Sequence, residues 1–390
     1  MKICILTPRF PLPECGGDLL RINNIARYLK SKGHSLVLIS YVENPHEYDL
    51  QAAKELYDHI YIVKRHKWSS VFYSALFMLV GRPIQCGYYY SSRYKRLFQD
   101  VVRKEQPDLY VSHLLRMIPF IEDAKVQDKT IVEMTDALSK TYSMSSNGRG
   151  NWFLREVYKI EKNLIARYER YVLEHYSKVV LVSPDDIDLL KKNNGKDYSN
   201  LSLHTNGVEC MERLKAEYNP NKICFIGHMQ SLQNQDAAIY FVNEILPLVL
   251  QEKPGLKFYI VGAHPPKTIL RLDNGRNIFV TGFVDDLNEF ISDSALVVAP
   301  VRIAAGIQNK VLVAMGCGIP VVMTSLISRA IPELIDGENC VIRDDANSIA
   351  EQCVRLMTDE NARNAIGQKG YALVLQHYSW DEKLKGYELL

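Results

Sequence analysis

The sequence predicts an α/β protein of two similar halves, each built on a parallel sheet, with the two sheets facing across a cleft. Short apolar runs alternate with helical or turn-like segments along the whole chain. The first connection has a strand–helix–strand pattern, which requires parallel strands. The pattern then restarts after YNPN at 218–221. A chain of 390 residues therefore divides into two cores, with a junction near 205–220.

The chain opens with a strand, a helix and a second strand. KICILTP at 2–8 is a short apolar run ended by proline, which is typical of a buried strand. Apolar residues recur on one helical face of 18–34, and Gly33 suits the end of that helix. SLVLIS at 35–40 is the second strand, so this unit starts a parallel sheet.

Five further strands are predicted in the first half. Most finish on a polar residue at the carboxyl end, which is the edge of an open parallel sheet that faces the ligand crevice. They are HIYIVK (59–64), DLYVSH (108–113), TIVEMTD (130–136), KVVLVS (178–183) and LSLHTNGVE (201–209).

The second half repeats the pattern with six more strands. The segment 235–251 between the first two has helical periodicity. The predicted strands are KICFIGH (222–228), KFYIVGA (257–263), IFVTGFV (278–284), ALVVAPV (295–301), PVVMTS (320–325) and CVIRDD (340–345).

Composition excludes several classes of protein. A net charge of +2 argues against a nucleic-acid binder. The eight cysteines are scattered without metal-ligand spacing, which favours buried thiols in a reducing cytoplasm. No secretory leader is predicted at the start, and the most apolar run, 71–80, is too short to span a bilayer. We therefore expect a cytoplasmic protein.

Charge is unevenly distributed along the chain. Residues 1–200 carry 30 Lys/Arg against 23 Asp/Glu, and residues 201–390 carry 17 against 22. In the basic half, KRHKW (64–68) leads into VFYSALFMLV (71–80) and then YYYSSRYKR (88–96). This mixture could rest on an anionic membrane surface, on the inner face of the plasma membrane. The alternative is a solvated loop that leads into a core helix.

The stretch RIAAGIQNKVLVAMGCGIP at 302–320 has the pattern of an anion site. Arg302 and Lys310 bracket a small-residue turn, in which Gly306 allows close backbone approach. The following N–H groups lie at the positive end of a helix. We expect these groups to hold a diphosphate, although an ordinary helix start remains open. The N–H groups belong to Ile307, Gln308 and Asn309.

Other phosphate and metal motifs are missing from the sequence. Neither half carries a P-loop or a G-x-G-x-x-G dinucleotide fingerprint. A D-I-D triplet at 186–188 is better explained as acids in the first turn of a helix. We expect no metal and no cofactor.

Taken together, the motifs of the chain resemble the GT-B glycosyltransferases. The closest likeness is to the large retaining family 4, the glycosyl transferases group 1, in a branch of bacterial sugar transferases. The order and spacing of many weak pieces carry this resemblance over nearly the whole chain. They include PRFPLPECGGDLLRINNIARYL, PDLYVSH, LVSPDD, TNGVE, FIGHMQSLQNQDAAIYF, YIVGAHPP, VTGFVDDLNEF, VAPVRIAAGIQNKVLVAMGCGIPVV, PELIDGENCVI and HYSWDEKL.

The resemblance implies two Rossmann-like domains, an acceptor-side domain at 1–208 and a nucleotide-sugar domain at 209–377. A last helix at 378–390 would cross back to the first domain, anchored by Trp380. The implied reaction moves a sugar from a UDP- or GDP-sugar to the hydroxyl of a glycan or lipid-linked acceptor, with retention at the anomeric carbon. The usual setting of this branch is cell-surface polysaccharide or lipopolysaccharide assembly.

The resemblance also implies roles for single residues. Gly16 and Gly17 match a glycine loop whose backbone approaches the donor, although a plain tight turn is the alternative. His113 matches a histidine beside the transferred sugar, or it is a satisfied structural residue. Arg302 and Lys310 would stabilise the leaving diphosphate. The donor-binding positions in the second domain are Gly227, His228, Gly262, Gly306, Ile307, Gln308 and Asn309.

The chain departs from the family pattern at two glutamates. Ala305 and Val313 stand where most members have carboxylates near the donor sugar and on the ribose. A basic pair after the first strand of the second domain is also replaced, since His228 follows Gly227 and the later position is Gln233 or Asn234. Two alternatives therefore stay open. One is a degenerate GT-B protein acting as a scaffold; the other is a nucleotide-sugar epimerase, for which only Glu133 and Asp136 offer an acid–base pair.

Overall fold

The structure, a computed structural model, divides the chain into two compact units. The first comprises Met1–Asn206 with Leu384–Leu390, and the second comprises Gly207–Lys383. Within them the structure describes residues 1–14, 17–42, 49–140, 142, 152–210, 218–302, 308–329 and 331–389, with the backbone alone at 152–155.

The first unit is built on a parallel sheet of seven strands in the order β3-β2-β1-β4-β5-β6-β7. The interior of β1 is fully buried, as expected for a strand with helices on both faces of the sheet. The strands are β1 Lys2–Thr7, β2 Ser35–Val42, β3 His59–Lys64, β4 Leu109–His113, β5 Thr130–Thr135, β6 Lys178–Leu181 and β7 Leu201–Leu203.

Eight helices of this unit are described. Local sequence sets several of their ends: Asp49 and Ser91 accept hydrogen bonds from the first backbone N–H groups of α2 and α5. The helices are α1 Gly17–Ser31, α2 Leu50–Leu56, α3 Lys67–Leu79, α4 Ile84–Tyr89, α5 Ser92–Glu105, α6 Ile118–Ala124, α7 Trp152–His175 and α8 Pro184–Asn194.

The second unit is built on a parallel sheet of six strands in the order β10-β9-β8-β11-β12-β13. The predicted α/β class with two parallel sheets is therefore confirmed, while their facing across a cleft stays a prediction. The strands are β8 Asn219–Ile226, β9 Lys257–Val261, β10 Ile278–Gly282, β11 Ser294–Ala299, β12 Val321–Met323 and β13 Val341–Ile342.

The helices of the second unit include one continuous stretch from 232 to 252, where the sequence predicts a helix at 235–251. Its middle, Phe241–Ile245, is a π-helical turn. The described helices are α9 Leu232–Tyr240, α10 Leu246–Glu252, α11 Lys267–Leu270, α12 Leu287–Ile291, α13 Asn309–Gly316, α14 Ser325–Ser328, α15 Ala346–Thr358, α16 Glu360–His377 and α17 Trp380–Lys383.

The end of the chain differs from the single helix predicted at 378–390. It forms the four-residue α17 and a 3-10 turn at Tyr387–Leu389. Gly386 between them has a φ of +77°, a conformation that ends a right-handed helix. Trp380 lies in the second unit, where its backbone packs against Gly207.

Strand order reverses once in each sheet, and these points are where a ligand site is expected. In the first sheet the reversal lies between β1 and β4, and in the second between β8 and β11. Ligands of open parallel sheets bind at the carboxyl ends of the strands on either side of such a point. The loops after these four strands are therefore the places to look for function.

Candidate functional site

The turn after β8 contacts the turn after β9 through two glycines. The N–H of Gly227 donates to Val261 O at 3.0 Å, and the N–H of Gly262 donates to Gly282 O at 3.1 Å. A Cβ on Gly262 would lie 1.8 Å from the carbonyl oxygen of Gly227, and its φ is +152°. Only glycine fits this contact, which brings together two of the residues predicted to bind the donor.

Two exposed histidines flank the glycine contact. The ring centroids of His228 and His264 lie 5.7 Å apart. His264 has a φ of +55°, which is unusual for a residue other than glycine. His228 is a predicted site residue, whereas sequence reasoning missed His264. Its position directly after the strand-ending VGA of 261–263 was the available signal.

Lys310 on α13 lies beside the same turn. Its ammonium donates a hydrogen bond to Asn234 Oδ1, and its Nζ lies 5.2 Å from the centroid of the Phe225 ring. The amide of Asn234 in turn donates to His228 O at 3.0 Å. Asn234 on α9 therefore links Lys310 to the loop after β8. This loop lies beside the point where the strand order reverses, between β8 and β11.

The charge of Lys310 is not neutralised. Within the described part of the chain, no carboxylate forms an ion pair with it. Burial lowers the pKa of the Lys310 ammonium from 10.5 to about 8. A partly buried cation without a counter-ion is stabilised when an anion binds it, so the surroundings of Lys310 have the electrostatics of an anion site.

Arg302 is paired with an acid, so its predicted contact with a diphosphate stays a prediction. Its guanidinium donates to both carboxylate oxygens of Asp236, Nε to Oδ2 at 3.0 Å and Nη2 to Oδ1 at 2.7 Å. It also lies 4.2 Å over the ring of Tyr240, and the bond to Asp236 raises its pKa. Arg302 therefore already has a counter-ion on α9. The same helix carries Asn234, which accepts the hydrogen bond from Lys310.

Part of the predicted cradle lies outside the described residues, namely Ala305, Gly306 and Ile307. Beyond them, Gln308 is buried at the start of α13, and Asn309 is exposed as its first helical residue. Val313 follows Lys310 by three residues, so the two lie on the same face of α13.

In the first unit, His113 ends β4 beside the corresponding reversal. It is fully buried, and neither ring nitrogen has a hydrogen-bond partner among the described residues. Burial lowers the pKa of its imidazole to about 3. His113 is therefore not the satisfied structural histidine that was one of its two interpretations.

More polar groups cluster around His113. Thr7 ends β1 next to it, and the hydroxyls of Thr7, Ser112 and Thr135 are buried without partners in the described part of the chain. Asp18 interacts with His113 and forms an ion pair with Arg9. Sequence reasoning missed these residues, although the positions of Thr7, Ser112 and Thr135 at the ends of strands were an available signal.

The structure describes only part of the glycine loop of this unit. Gly16 lies outside the described residues, and Gly17 is the first residue of α1, with open space around its Cβ position. A role in approaching the donor stays a prediction for both.

Glu133 cannot act as the acid or base of an epimerase in this arrangement. Its carboxylate accepts hydrogen bonds from Arg21 Nε at 2.9 Å, Arg21 Nη2 at 3.1 Å and Tyr387 Oη at 3.1 Å. Both members of the Arg21–Glu133 pair have no exposed surface. A carboxylate held in this way stabilises the fold and has no access to a substrate.

Asp186 of the D-I-D triplet is also engaged within the fold. It lies in the first turn of α8, as predicted, and accepts bonds from Lys140 Nζ at 2.6 Å and Ala137 N at 3.1 Å.

Comparison with known structures identifies the class of the fold. HepE of Anabaena, crystallised with UDP, matches 100% of this chain and 99% of its own with a TM-score of 0.61 at 13% identity. The fold is therefore GT-B, as predicted.

Comparison of sequences identifies the domain. Residues 220–359 match the family model of the glycosyl transferases group 1. A 44.6 kDa protein of the cps region of Klebsiella pneumoniae is 19% identical over 97% of this chain and 96% of its own length. The capsular polysaccharide biosynthesis glycosyltransferase CapM of Staphylococcus aureus is 24% identical over 48% of this chain and 51% of its own. The chain therefore has the GT-B fold, and its residues 220–359 match a glycosyl transferases group 1 domain, as the resemblance implies.

Proposed function

We propose that the protein transfers a sugar from a nucleoside diphosphate sugar to an acceptor hydroxyl, and that Lys310 binds the diphosphate. The observation that carries the proposal is the Lys310 ammonium. It is partly buried, fixed by Asn234, and without a carboxylate partner in the described part of the chain. A diphosphate supplies the missing negative charge.

The nature of the donor is supported by the structural neighbour. HepE was crystallised with UDP and with UDP and glucose. We propose a UDP-sugar as the first donor to test and a GDP-sugar as the second. The capsule-related names of two sequence relatives support a role in assembling a cell-surface polysaccharide in the cytoplasm, on a glycan or lipid-linked acceptor.

Lys310 would act mainly on the transition state. Negative charge grows on the diphosphate as the bond to the sugar breaks, so a nearby ammonium stabilises the transition state more than the bound donor. The N–H groups of Gln308 and Asn309 at the start of α13, with those at Gly306 and Ile307, would add hydrogen bonds to the same phosphates. Transfer on this model proceeds with retention and without a metal ion.

Arg302 takes a supporting part in this model. Its pair with Asp236 holds the start of the 302–310 segment against α9. We assign it to positioning Lys310, with direct phosphate contact only after that pair opens.

His113 is proposed to contact the transferred sugar as a neutral group. With a pKa of about 3, its imidazole is uncharged at pH 7 and offers one donor and one acceptor. A sugar hydroxyl can satisfy these two unpartnered nitrogens, whereas a charged role is excluded by burial.

The test is titration calorimetry of the full chain with UDP, UDP-glucose, GDP and GDP-mannose, together with turnover of the preferred donor. We expect Lys310→Ala to weaken diphosphate binding about tenfold or more and to lower turnover about a hundredfold. Lys257→Ala, which removes an exposed lysine on β9 of the same unit, is the matched control and should change neither quantity.

The two remaining outcomes are distinct. Wild-type affinity and turnover in Lys310→Ala would refute the diphosphate role of this residue. Saturable nucleotide binding with no transfer and no donor hydrolysis would favour the scaffold alternative, which the absence of both family glutamates, at Ala305 and Val313, makes worth testing.

A further inference from the structure

Helix α3 presents a continuous apolar face to solvent. Trp68, Phe72 and Leu79 are 88%, 64% and 80% exposed. The spacing of the exposed residues places them on one side of the helix, at intervals of three and four. The members of this outward face are Trp68, Val71, Phe72, Ala75, Leu76 and Leu79, followed by Val80.

The opposite side of α3 attaches it firmly to the first unit. Ser70 and Phe77 are buried, and Ser74 donates to Ile84 O at 3.3 Å. Gly87 on α4 lies so close that a Cβ there would be 2.4 Å from the carbonyl oxygen of Tyr73. The helix is therefore not the core helix that was one interpretation of this segment. It is a surface helix whose exposed side is apolar, the reverse of a soluble amphipathic helix.

In sequence, the segment around α3 carries only positive charge, while Glu122 and Asp123 of α6 pair with two of its cations, Arg82 and Lys95. Residues 59–99 contain seven Lys or Arg and no Asp or Glu. Lys64, Lys67, Arg93 and Arg96 are exposed. Arg65 lies 4.7 Å over the ring of Tyr88, so cations and aromatic rings are interleaved next to the apolar face.

We propose that the outward face of α3 binds the surface of an anionic phospholipid bilayer. The helix would lie in the plane of the interface, with its apolar side chains among the acyl chains and the neighbouring cations on the lipid phosphates. A helix of 13 residues is too short to cross a bilayer, and no described helix is both long and apolar enough to do so. A second copy of the chain fits this surface poorly, because docking it there would bring two purely basic segments together.

The proposal is tested with sucrose-loaded vesicles of phosphatidylcholine alone and of phosphatidylcholine with 30% phosphatidylglycerol, without any nucleotide. We expect the full chain to sediment with the anionic vesicles at low salt. Binding should fall about fivefold for each lysine removed in Lys64→Gln and Lys67→Gln. The triple variant Trp68→Ser, Phe72→Ser, Leu79→Ser should lower it at least tenfold.

The matched control carries serine at three exposed apolar residues of the second unit, Leu270, Ile335 and Leu375. It should bind vesicles as the wild type does. Thermal unfolding of each variant establishes that it is folded. In a background with Trp152→Phe and Trp380→Phe, the fluorescence of Trp68 should shift to the blue on addition of anionic vesicles.

Three results would overturn the proposal. They are the failure of the wild type to sediment with anionic vesicles, equal binding by the two triple variants, and dimers in solution that only the α3 triple variant dissociates. Because no donor is present, each of these results is independent of the diphosphate role of Lys310.

Discussion

At the scale of single residues, Lys310 carries a desolvated charge that lowers the stability of the protein and that the proposed diphosphate would compensate. Its ammonium is partly desolvated, its hydrogen bond to Asn234 does not neutralise it, and its pKa falls to about 8. The unfolded chain restores an ordinary lysine pKa. Below pH 8 the charged group therefore favours unfolding, and a bound anion reverses this effect.

Replacing the ammonium should stabilise the protein without nucleotide. We expect Lys310→Met to raise the free energy of unfolding at pH 7 by on the order of 1–3 kcal/mol, because a desolvated charge is removed. Between about pH 8 and 10.5 the unfolded lysine binds more protons than the folded one, so wild-type stability rises and the advantage of the variant shrinks. Thermal unfolding across this pH range measures the stability difference between the variant and the wild type, with Lys257→Met as control. A destabilised variant at pH 7 would contradict the prediction.

The same titration predicts a pH dependence of binding. Affinity for UDP should decline as pH rises through about 8, with a limiting slope of about tenfold per unit, because the free protein loses the Lys310 proton that the complex retains. Titration calorimetry from pH 7 to 9.5 provides the profile. In Lys310→Ala the profile should be flat, and an equal slope in both proteins would assign the titration to another group.

At the scale of elements, helix α13 determines, on the proposed function, which groups reach the nucleotide. It sets Lys310 and Val313 one turn apart on one face. The resemblance to the glycosyl transferases group 1 places a ribose-binding glutamate at the position of Val313. On the proposed function, α13 therefore offers positions for two donor contacts but carries a polar side chain at only one of them, Lys310.

Restoring the glutamate should strengthen donor binding. We expect Val313→Glu to raise the affinity for UDP about tenfold, since a hydrogen bond to a charged group contributes roughly 1.5–3 kcal/mol. Affinity for 2′,3′-dideoxy-UDP should not rise. Leu375→Glu, at an exposed position on α16, controls for the added charge. A fall in affinity for both ligands would show that the carboxylate repels the diphosphate instead.

The turn after β9 depends on a close backbone contact. A Cβ at Gly262 would overlap the carbonyl oxygen of Gly227 at 1.8 Å, in a backbone conformation with a φ of +152°. We expect Gly262→Ala to lower the free energy of unfolding by about 1–3 kcal/mol and to weaken UDP binding. Gly275 has a φ of +62° with open space around it, so Gly275→Ala isolates the conformational cost, about 1 kcal/mol. If the two variants lose the same free energy of unfolding, the backbone conformation and not the close contact would explain the effect at Gly262.

At the scale of the whole molecule, the chain divides into two compact units. The first unit takes in Leu384–Leu390 from the far end of the chain. Tyr387 is fully buried there and donates to Glu133, which is already paired with Arg21. Arg21 also donates to Asn206 Oδ1 at 3.1 Å, so one buried network joins α1, β5 and both points where the chain leaves the unit.

Removing the terminal tyrosine should destabilise the first unit selectively. We expect Tyr387→Ala to cost about 3–5 kcal/mol, from the cavity and the lost hydrogen bond to a buried charge. Differential scanning calorimetry should then resolve an earlier transition for that unit while the second is unchanged. Tyr88→Ala, at an exposed tyrosine, is the control. Equal shifts in the transitions of both units would argue against a network confined to the first.

Much of the fold follows from the sequence because a parallel strand covered on both faces is a short, uninterrupted apolar run. HIYIVK at 59–64 matches β3 residue for residue, and KICILTP exceeds β1 only by its final proline. The chain end is the counter-example. Its helix is interrupted at Gly386, which takes a positive φ, and periodicity does not reveal which glycine will do so.

For the site, local sequence patterns predict an anion-binding segment at 302–310 and a basic apolar segment at 64–80, because both depend on residues close together in the chain. The pairing of the charges, by contrast, depends on the three-dimensional fold. The partners of both cations lie more than 60 residues away in the chain. Asp236 neutralises Arg302, whereas Asn234 binds Lys310 without neutralising it. Whether a charge is available for a ligand depends on such distant partners and on burial, and neither is encoded in local sequence.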